Sequence, residues 1–211
     1  MAIDDLLDEH EQSEKVRTWL KDNAAGLIGG ILLGFALIGG WRWWQAQQAD
    51  ARVESGERFQ VALDNIQAGK LDLAKPQVAA LPRGAYATLA ALELAKAQLQ
   101  AGQRDAAIAT LRAVDPLEST LGAIANQRLA RLLIDAGKAD EALKLLPADT
   151  LDPEVLQVRG DAHFALGHRD EARAAYTQAL THLDVGAPQR RLVELKLSEV
   201  GGVPAKPEAK S

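Results

Sequence analysis

The order of apolar and polar residues divides the chain into two parts of different character. Residues 23–41 contain no charged side chain and are rich in glycine and large aliphatic residues. From residue 45 onward, apolar residues recur at helical spacing between charged ones, which is typical of amphipathic helices. The pattern predicts an all-α protein, in which one apolar helix precedes a longer series of amphipathic helices.

The apolar stretch has the length of a membrane span. Roughly 20 helical residues cross a hydrocarbon core of about 30 Å, and residues 23–44 meet this requirement. Trp41, Trp43 and Trp44 close the stretch, and tryptophan favours the membrane interface because its ring is apolar and its N–H is polar. The side chain of Arg42 is long enough to reach the headgroups. We therefore expect a single transmembrane helix at residues 23–44.

Two other interpretations of this stretch are a cleaved signal peptide and a buried core helix. A cleaved signal peptide begins with basic residues and has an apolar run of about 7–15 residues, whereas this N-terminus is acidic and the run is longer. The nearest Ala-x-Ala, at residues 49–51, also lies beyond the tryptophans. A core helix in a domain of this size normally keeps one polar face on the side away from the core, and this stretch shows none. Both interpretations fit the residues less well than a span does.

Basic residues near the two ends of the stretch indicate its orientation. Lys15, Arg17 and Lys21 precede it, and Arg42 and Arg52 follow it. Since Lys and Arg are enriched on the cytoplasmic side, this small excess favours a cytoplasmic N-terminal tail. The larger C-terminal part would then lie outside, which in a bacterium is the periplasmic side of the inner membrane. The alternative is the reversed topology, with a cytoplasmic C-terminal part.

Three glycines recur at four-residue spacing within the expected span. Gly26, Gly30 and Gly34 lie on one face of a helix, and small residues at this spacing let two helices approach closely in lipid. This face is the candidate contact with a partner helix. Glycine is also common in membrane spans generally, so the spacing leaves both interpretations open.

The two ends of the chain differ from the parts between them. Residues 1–22 form an acidic tail, which suits either a short amphipathic helix at the membrane surface or a solvated tail that recruits a partner. Residues 201–211 lack the apolar content needed to fold and are expected to be disordered.

The C-terminal part contains a repeated element, a glycine followed five residues later by an alanine. It reads GKLDLA at 69–74, GQRDAA at 102–107, GKADEA at 137–142 and GHRDEA at 167–172, and the glycines are 33, 35 and 30 residues apart. Glycine can take the left-handed conformation that ends a helix, and the Asp after it is a good N-cap for the next helix. The small alanine allows the two helices to pack closely. Each copy is therefore predicted to be a helical hairpin, and such hairpins stack into a solenoid.

The spacing of this element resembles that of the tetratricopeptide repeat, which is about 34 residues long. The last copy matches best, with Gly160 as the small residue of its first helix, Ala172 and Ala179 as those of its second, and Tyr176 as the aromatic residue. An unrelated helical bundle is the alternative.

The expected repeat domain covers residues 45–200. Pro76 is expected to shorten the second helix of the first copy, because proline removes a backbone N–H. Residues 188–200 are expected to form a terminal cap that covers the last apolar face.

The sequence shows no catalytic, metal-binding or cofactor-binding pattern. The chain has no cysteine, its histidines form no HExxH motif, and neither GxSxG nor GxxxxGK[ST] occurs. His163 stands where this repeat often has tyrosine, which favours a packing role. The net charge of −5, without a basic face, gives no sign of nucleic-acid binding. We therefore expect a binding protein without cofactor or metal, and not an enzyme.

The order of features along the whole chain is specific. An acidic tail with TWLKDN at 18–23 leads to one span that ends in WRWWQ at 41–45, and degenerate repeats follow directly. This order resembles the bacterial family of ancillary SecYEG translocon subunits, the YfgM-like proteins. The resemblance implies an inner-membrane protein with a cytoplasmic N-terminus and a periplasmic repeat domain. It further implies association with the Sec translocon and the membrane-anchored periplasmic chaperone PpiD, and a role in passing exported proteins to periplasmic chaperones.

The repeat alignment places five polar residues in the concave groove of the predicted solenoid. They lie on the first helices of successive copies and are Lys96, Gln127, Arg131, Gln157 and Asp161. Mixed charge and amide groups suit hydrogen bonding to the backbone of an extended peptide, such as an exported client or a segment of a partner. The alternative for each position is an ordinary solvated helix surface. As a function, a structural adaptor of another cell-envelope complex is the alternative that span and repeats allow.

Overall fold

The computed structural model describes residues 2–117 and 119–204. Within these ranges the secondary structure consists of α-helices without a β-strand, which confirms the expected all-α class. The helices are α1 (Ala2–Gln67), α2 (Leu71–Ala79), α3 (Ala85–Gln100), α4 (Arg104–Arg112), α5 (Thr120–Asp135), α6 (Ala139–Leu145), α7 (Pro153–Ala165), α8 (Arg169–His182) and α9 (Arg190–Glu199). The chain divides into two compact units after Glu54, so that α1 contributes to both.

The first unit is helical from Ala2 to Glu54 and includes the acidic tail. No proline interrupts it, and its leucine and alanine residues are strong helix formers. Its glycines act in the opposite direction, since each lowers helix stability in water by about 1 kcal/mol relative to alanine.

The second unit begins with the last turns of α1, at residues 55–67, and continues through α9. Ala62 and Ile66 of α1 share one core cluster with residues of α2 and α3, so this end of α1 serves as the first helix of the first hairpin. The later hairpins are α3 with α4, α5 with α6 and α7 with α8. First helices of neighbouring hairpins also contact each other, α3 with α5 and α5 with α7. This arrangement is the stacked series of hairpins that the repeated element predicts.

The repeated glycines end the first helix of each hairpin. Gly102 has a φ of +75°, and its N–H donates to the carbonyl of Leu99 at 3.0 Å. The next N–H, of Gln103, donates to the carbonyl of Gln98 at 2.8 Å, which completes a Schellman motif. The same pair of bonds forms at the other three glycines and once more after α9, at Gly201.

The predicted role of the aspartates in these turns is wrong. The N-cap positions belong to the residues directly after the glycines, such as Gln103 and Lys138, and their side chains make no capping hydrogen bond. Asp105 and Asp140 lie within the first turn of α4 and α6 instead. There the positive end of the helix dipole still favours a carboxylate.

The small residues of the repeat lie where helices cross. Each of them is 2% exposed or less, and they are Ala62, Ala74, Ala95, Ala107, Ala130, Ala142, Ala172 and Ala179. Because alanine has no side chain beyond Cβ, helix axes approach closely at these positions. Leucine and valine fill the space between the crossings in three core clusters.

Pro76 does not shorten the second helix of the first hairpin. It lies inside α2, which continues to Ala79 and has the same length as α4, nine residues. At the other end of the unit, α9 packs on α8 and buries Val193 and Leu197. Residues 201–204 form the turn after α9. The tail expected to be disordered is residues 201–211, of which residues 205–211 lie outside the described residues.

Candidate functional site

Apolar side chains cover all sides of α1 between residues 28 and 44. The large ones are about half exposed or more, and they are Ile28, Leu32, Leu33, Phe35, Leu37, Ile38, Trp41, Trp43 and Trp44. The rings of Trp41 and Trp44 contact each other, with centroids 5.3 Å apart. An exposed apolar surface of this extent marks a site that meets a membrane or another protein.

Length and hydropathy decide whether the same segment could span a membrane. Among the described residues no single helix is long and apolar enough to cross a membrane, whereas the segments Lys15–Gly26 and Ile28–Gln45, bent by 43° between them, qualify as a pair. On the glycine face, a Cβ added to Gly26, Gly30 or Gly34 would meet no atom within 4 Å. The glycine face therefore has room for another helix to approach it.

The five predicted groove residues lie on the neighbouring helices α3, α5 and α7, but they differ in accessibility. The side chain of Lys96 is 60% exposed and pairs with Glu93 at 3.2 Å. Arg131 is half-buried. Gln127 and Gln157 are only 7% and 8% exposed, so they offer little surface to another molecule. Lys96 and Arg131 are the members of this set best placed to meet a partner.

Asp161, the fifth groove residue, is engaged within the protein. The hydroxyl of Tyr176 donates to its Oδ1 at 2.7 Å, and Nζ of Lys196 donates to both carboxylate oxygens at 2.7 and 2.8 Å. The cluster ties α7 to α8 and to α9. Burial raises the pKa of the Tyr176 hydroxyl, and the hydrogen bond to Asp161 raises it further. Asp161 therefore stabilises the terminal hairpin and its cap, and both of its oxygens already accept hydrogen bonds.

His163, for which the sequence favoured a packing role, is half-buried on α7, with its ring centroid 6.1 Å from that of His168. Its Nδ1 is buried and has no partner within the described residues. Burial lowers the pKa of His163, and the neighbouring Arg159 and His168 lower it further, while Glu171 acts in the opposite direction. The ring is therefore held towards its neutral form.

Three apolar residues share the helix faces of the predicted groove residues, and sequence analysis missed them. Leu99, Ile134 and Phe164 each lie three residues before the repeat glycine and three residues after a predicted groove residue. Leu99 is 38% exposed and Phe164 36%. Residues three apart share a helix face, so Leu99 accompanies Lys96 and Ile134 accompanies Arg131, while Phe164 accompanies Asp161. Their constant distance from the glycine is the signal that could have found them.

The described residues bring together no group of three or more His, Asp or Glu side chains that could hold a metal ion.

Comparisons with known proteins cover both units. A family model described as a tetratricopeptide repeat-like domain matches residues 17–202. The ancillary SecYEG translocon subunit of Escherichia coli (strain K12) is 31% identical over 201 residues, which cover 91% of this chain and 96% of that protein. Proteins of the same name from Haemophilus influenzae and Aggregatibacter actinomycetemcomitans are 25% and 22% identical, over 82% and 92% of this chain and 89% and 98% of theirs. No solved structure gives a significant match.

The stacked hairpins and the family model define a tetratricopeptide-like helical-repeat protein. Within that class, the chain belongs to the family of ancillary SecYEG translocon subunits. The resemblance seen in the order of the sequence features is thereby confirmed.

Proposed function

We propose that this protein is a single-pass inner-membrane subunit associated with the Sec translocon. Residues 23–44 cross the membrane with the N-terminus in the cytoplasm, and the repeat domain works in the periplasm. The domain is a scaffold that receives exported proteins and passes them to periplasmic chaperones, in contact with the membrane-anchored chaperone PpiD. The protein acts by binding and not by catalysis.

The observation that carries this proposal is the extent of the relationship. The match to the E. coli ancillary subunit covers 91% of this chain, so it includes residues on both sides of the unit boundary at Glu54. If the two proteins were related through the repeats alone, the match would not extend over the apolar segment. The exposed apolar side chains of α1 support the anchoring part of the proposal, because they need an apolar environment.

The groove supports the binding part. Lys96 and Arg131 lie beside Leu99 and Ile134 on neighbouring helices. An extended chain that has not yet folded presents both free backbone carbonyls and apolar side chains. The cations suit the carbonyls and the apolar residues suit the side chains, so a surface of this composition binds many sequences weakly.

Weak binding is sufficient for an anchored protein. A tether raises the effective concentration of the domain near the translocon exit, to the millimolar range for short flexible links. An exported chain then meets the groove repeatedly as it emerges, and weak contacts allow it to leave for a chaperone.

Photo-crosslinking in living cells tests the proposal. A photo-reactive amino acid replaces Gly30 in one variant and Arg131 in another, and Gln178, exposed on α8, serves as the matched control for the groove probe. Adducts of the Gly30 probe with translocon or chaperone helices, together with exported chains at Arg131 but not at Gln178, are the expected result.

Other adducts would contradict separate parts of the proposal. Labelling of cytoplasmic proteins at Arg131 would reverse the topology. Adducts only with an unrelated envelope complex would leave the fold unchanged and assign the protein to that complex.

A further inference from the structure

A cleft of about 580 Å³ opens between α2 and α4, on the side of the second helices and away from the predicted groove residues. Ala87, Ala91 and Leu94 of α3 form its floor, and Val78 and Ala113 belong to its walls. Pockets that bind ligands have volumes of about 300–1,000 Å³ and mostly apolar linings. The cleft meets both conditions.

The sequence explains why the cleft between α2 and α4 is open, whereas a salt bridge joins the next pair of second helices, α4 and α6. Between the second and third hairpins, Arg112 of α4 pairs with Glu141 of α6 at 2.8 Å, across the two second helices. Counted from the repeat glycines, the same two positions in the first and second hairpins are Ala79 and Ala106. Neither alanine can form the bridge, so nothing of this kind joins α2 to α4.

The mouth of the cleft is positively charged although the protein is acidic. Lys75 and Arg83 lie at the cleft, and neither makes a salt bridge or a side-chain hydrogen bond within the part of the chain that the structure describes. Arg112 also lines the cleft, but its guanidinium already pairs with the carboxylate of Glu141. The one carboxylate of the lining, on Asp115, accepts the backbone N–H of Leu117 at 2.9 Å. Two cations thus remain available beside an apolar floor.

We infer that this cleft is a second docking site, which binds an amphipathic, acidic peptide segment of a protein partner. Aliphatic side chains of the segment fill the space above Ala91 and Leu94, and its Glu or Asp residues pair with Lys75 and Arg83. The charge of the mouth selects the acidic partner, and the missing Arg–Glu bridge leaves room for it. The inference rests on the cleft alone and holds whether or not the groove binds exported chains.

Binding of a defined probe to the full-length protein in detergent tests the inference. The probe is a fluorescein-labelled peptide of leucine and glutamate at helical spacing, and its counterpart carries lysine for every glutamate. Fluorescence anisotropy is expected to show saturable binding of the glutamate peptide only. In Lys75→Glu/Arg83→Glu, the affinity for the glutamate peptide should fall by about tenfold, the effect of losing two exposed charge contacts. The same variant should gain affinity for the lysine peptide.

A second variant tests the position of the site by closing the cleft. Ala79→Arg/Ala106→Glu introduces the bridge that joins Arg112 to Glu141 in the next hairpins, and it should abolish binding. Ala174→Arg/Gln178→Glu adds the same two charges to exposed positions of α8 and should bind like the unchanged protein. Thermal unfolding followed by circular dichroism shows that each variant is folded.

Three outcomes would overturn the inference. The first is unchanged binding of the glutamate peptide by the folded Ala79→Arg/Ala106→Glu variant. The second is binding of sodium laurate that the Ala79→Arg/Ala106→Glu variant removes, while the glutamate peptide does not bind, which would assign the cleft to an anionic lipid. The third is concentration-dependent self-association that the cleft-closing variant removes, which would make a second copy of the chain the occupant.

Discussion

The ring of Tyr176 lies against the backbone of Gly160, in the space that any larger residue at position 160 would need. A Cβ built on Gly160 would approach three ring atoms of Tyr176 to less than 3.0 Å. The ring of Tyr176 on α8 therefore fits against α7 only because residue 160 has no side chain. Tyr176 is also among the most deeply buried side chains of the repeat unit, so the ring has no free space into which it could move.

We predict that Gly160→Ala destabilises the repeat unit by about 1–3 kcal/mol, the usual cost of overpacking a core. The gain in helix propensity from replacing glycine, about 1 kcal/mol, offsets only part of that cost. Thermal unfolding of the full-length protein in detergent, followed by circular dichroism, measures the change.

Gly56 provides the matched control for this prediction. It is also a helical glycine beside a tyrosine, but its added Cβ would lie 3.7 Å from the nearest atom of Tyr86, which is ordinary contact. Gly56→Ala should be neutral or stabilising. Equal destabilisation by both substitutions would mean that packing against Tyr176 is not the cause.

The raised pKa of Tyr176 predicts a loss of stability at alkaline pH. Below the ordinary tyrosine pKa of about 10 the hydroxyl is protonated in both the folded and the unfolded chain, so its full contribution to stability is present. Above that pH the unfolded chain releases the proton, while burial and the hydrogen bond to Asp161 hold it in the folded one. This contribution should therefore decrease by about 1.4 kcal/mol per pH unit as the pH rises above 10.

Comparison with Tyr176→Phe isolates this effect from other groups that titrate in the same range. The unchanged protein should be the more stable one at pH 8, by about 1 kcal/mol for the hydrogen bond to Asp161. Its advantage should shrink between pH 10 and pH 11. Since the phenolate absorbs in the ultraviolet, Tyr176 in the Tyr86→Phe variant should show that absorbance only when the protein unfolds. A constant stability difference across this pH range would contradict the prediction.

The turns show which parts of the fold the sequence determines locally. The recurring glycine predicted each helix end correctly, because left-handed backbone depends on the residue itself and on the bonds of its own turn. The same reasoning misplaced Asp105, since the residue right after the glycine completes the Schellman motif and also starts the next helix. The turn is thus too short for an aspartate three residues later to be the cap.

The groove shows what a local pattern leaves undetermined. The repeat alignment put Asp161 on the groove face, but Lys196 is 35 residues further along and reaches Asp161 because α9 packs on α8. Likewise Gln127 and Gln157 have the right spacing but are buried by neighbouring helices. Lys96 has a partner only three residues away and keeps the exposure that the sequence suggested. Whether a polar residue is available to a partner depends on contacts that are distant in sequence.

Because Nδ1 of His163 is buried without a partner, we predict that a hydrogen-bond donor placed opposite it stabilises the protein. Two earlier hairpins have a hydrogen bond between residues 12 apart at the corresponding positions, Asn65 to Gln77 at 2.9 Å and Thr110 to Gln98 at 2.8 Å. The corresponding partner of His163 is Ala175, which has no polar group. Ala175→Thr supplies a hydroxyl that can donate to Nδ1, and this bond should make the variant about 1 kcal/mol more stable than one with a threonine that forms no such bond.

Ala174→Thr is the control, because it changes an exposed neighbour on the same helix and costs only helix propensity. Urea unfolding measures both variants. If Ala175→Thr is no more stable than Ala174→Thr, the two positions do not form a hydrogen bond in the fourth hairpin, and the register between α7 and α8 differs from that of the earlier hairpins.

Substitution of the turn glycine Gly137 should destabilise the protein for a different reason from substitution of Gly160. Its φ is +74°, and a Cβ at this position would meet no atom within 4 Å. Gly137→Ala should therefore destabilise the protein through backbone strain alone, by about 1–2 kcal/mol. Gly137→Asn should cost less than Gly137→Ala, because asparagine tolerates the left-handed conformation, even though its side chain is larger. The two melting temperatures distinguish the causes. If backbone strain is the cause, the asparagine variant melts at a higher temperature than the alanine variant. If the cause is steric, it melts at a lower one.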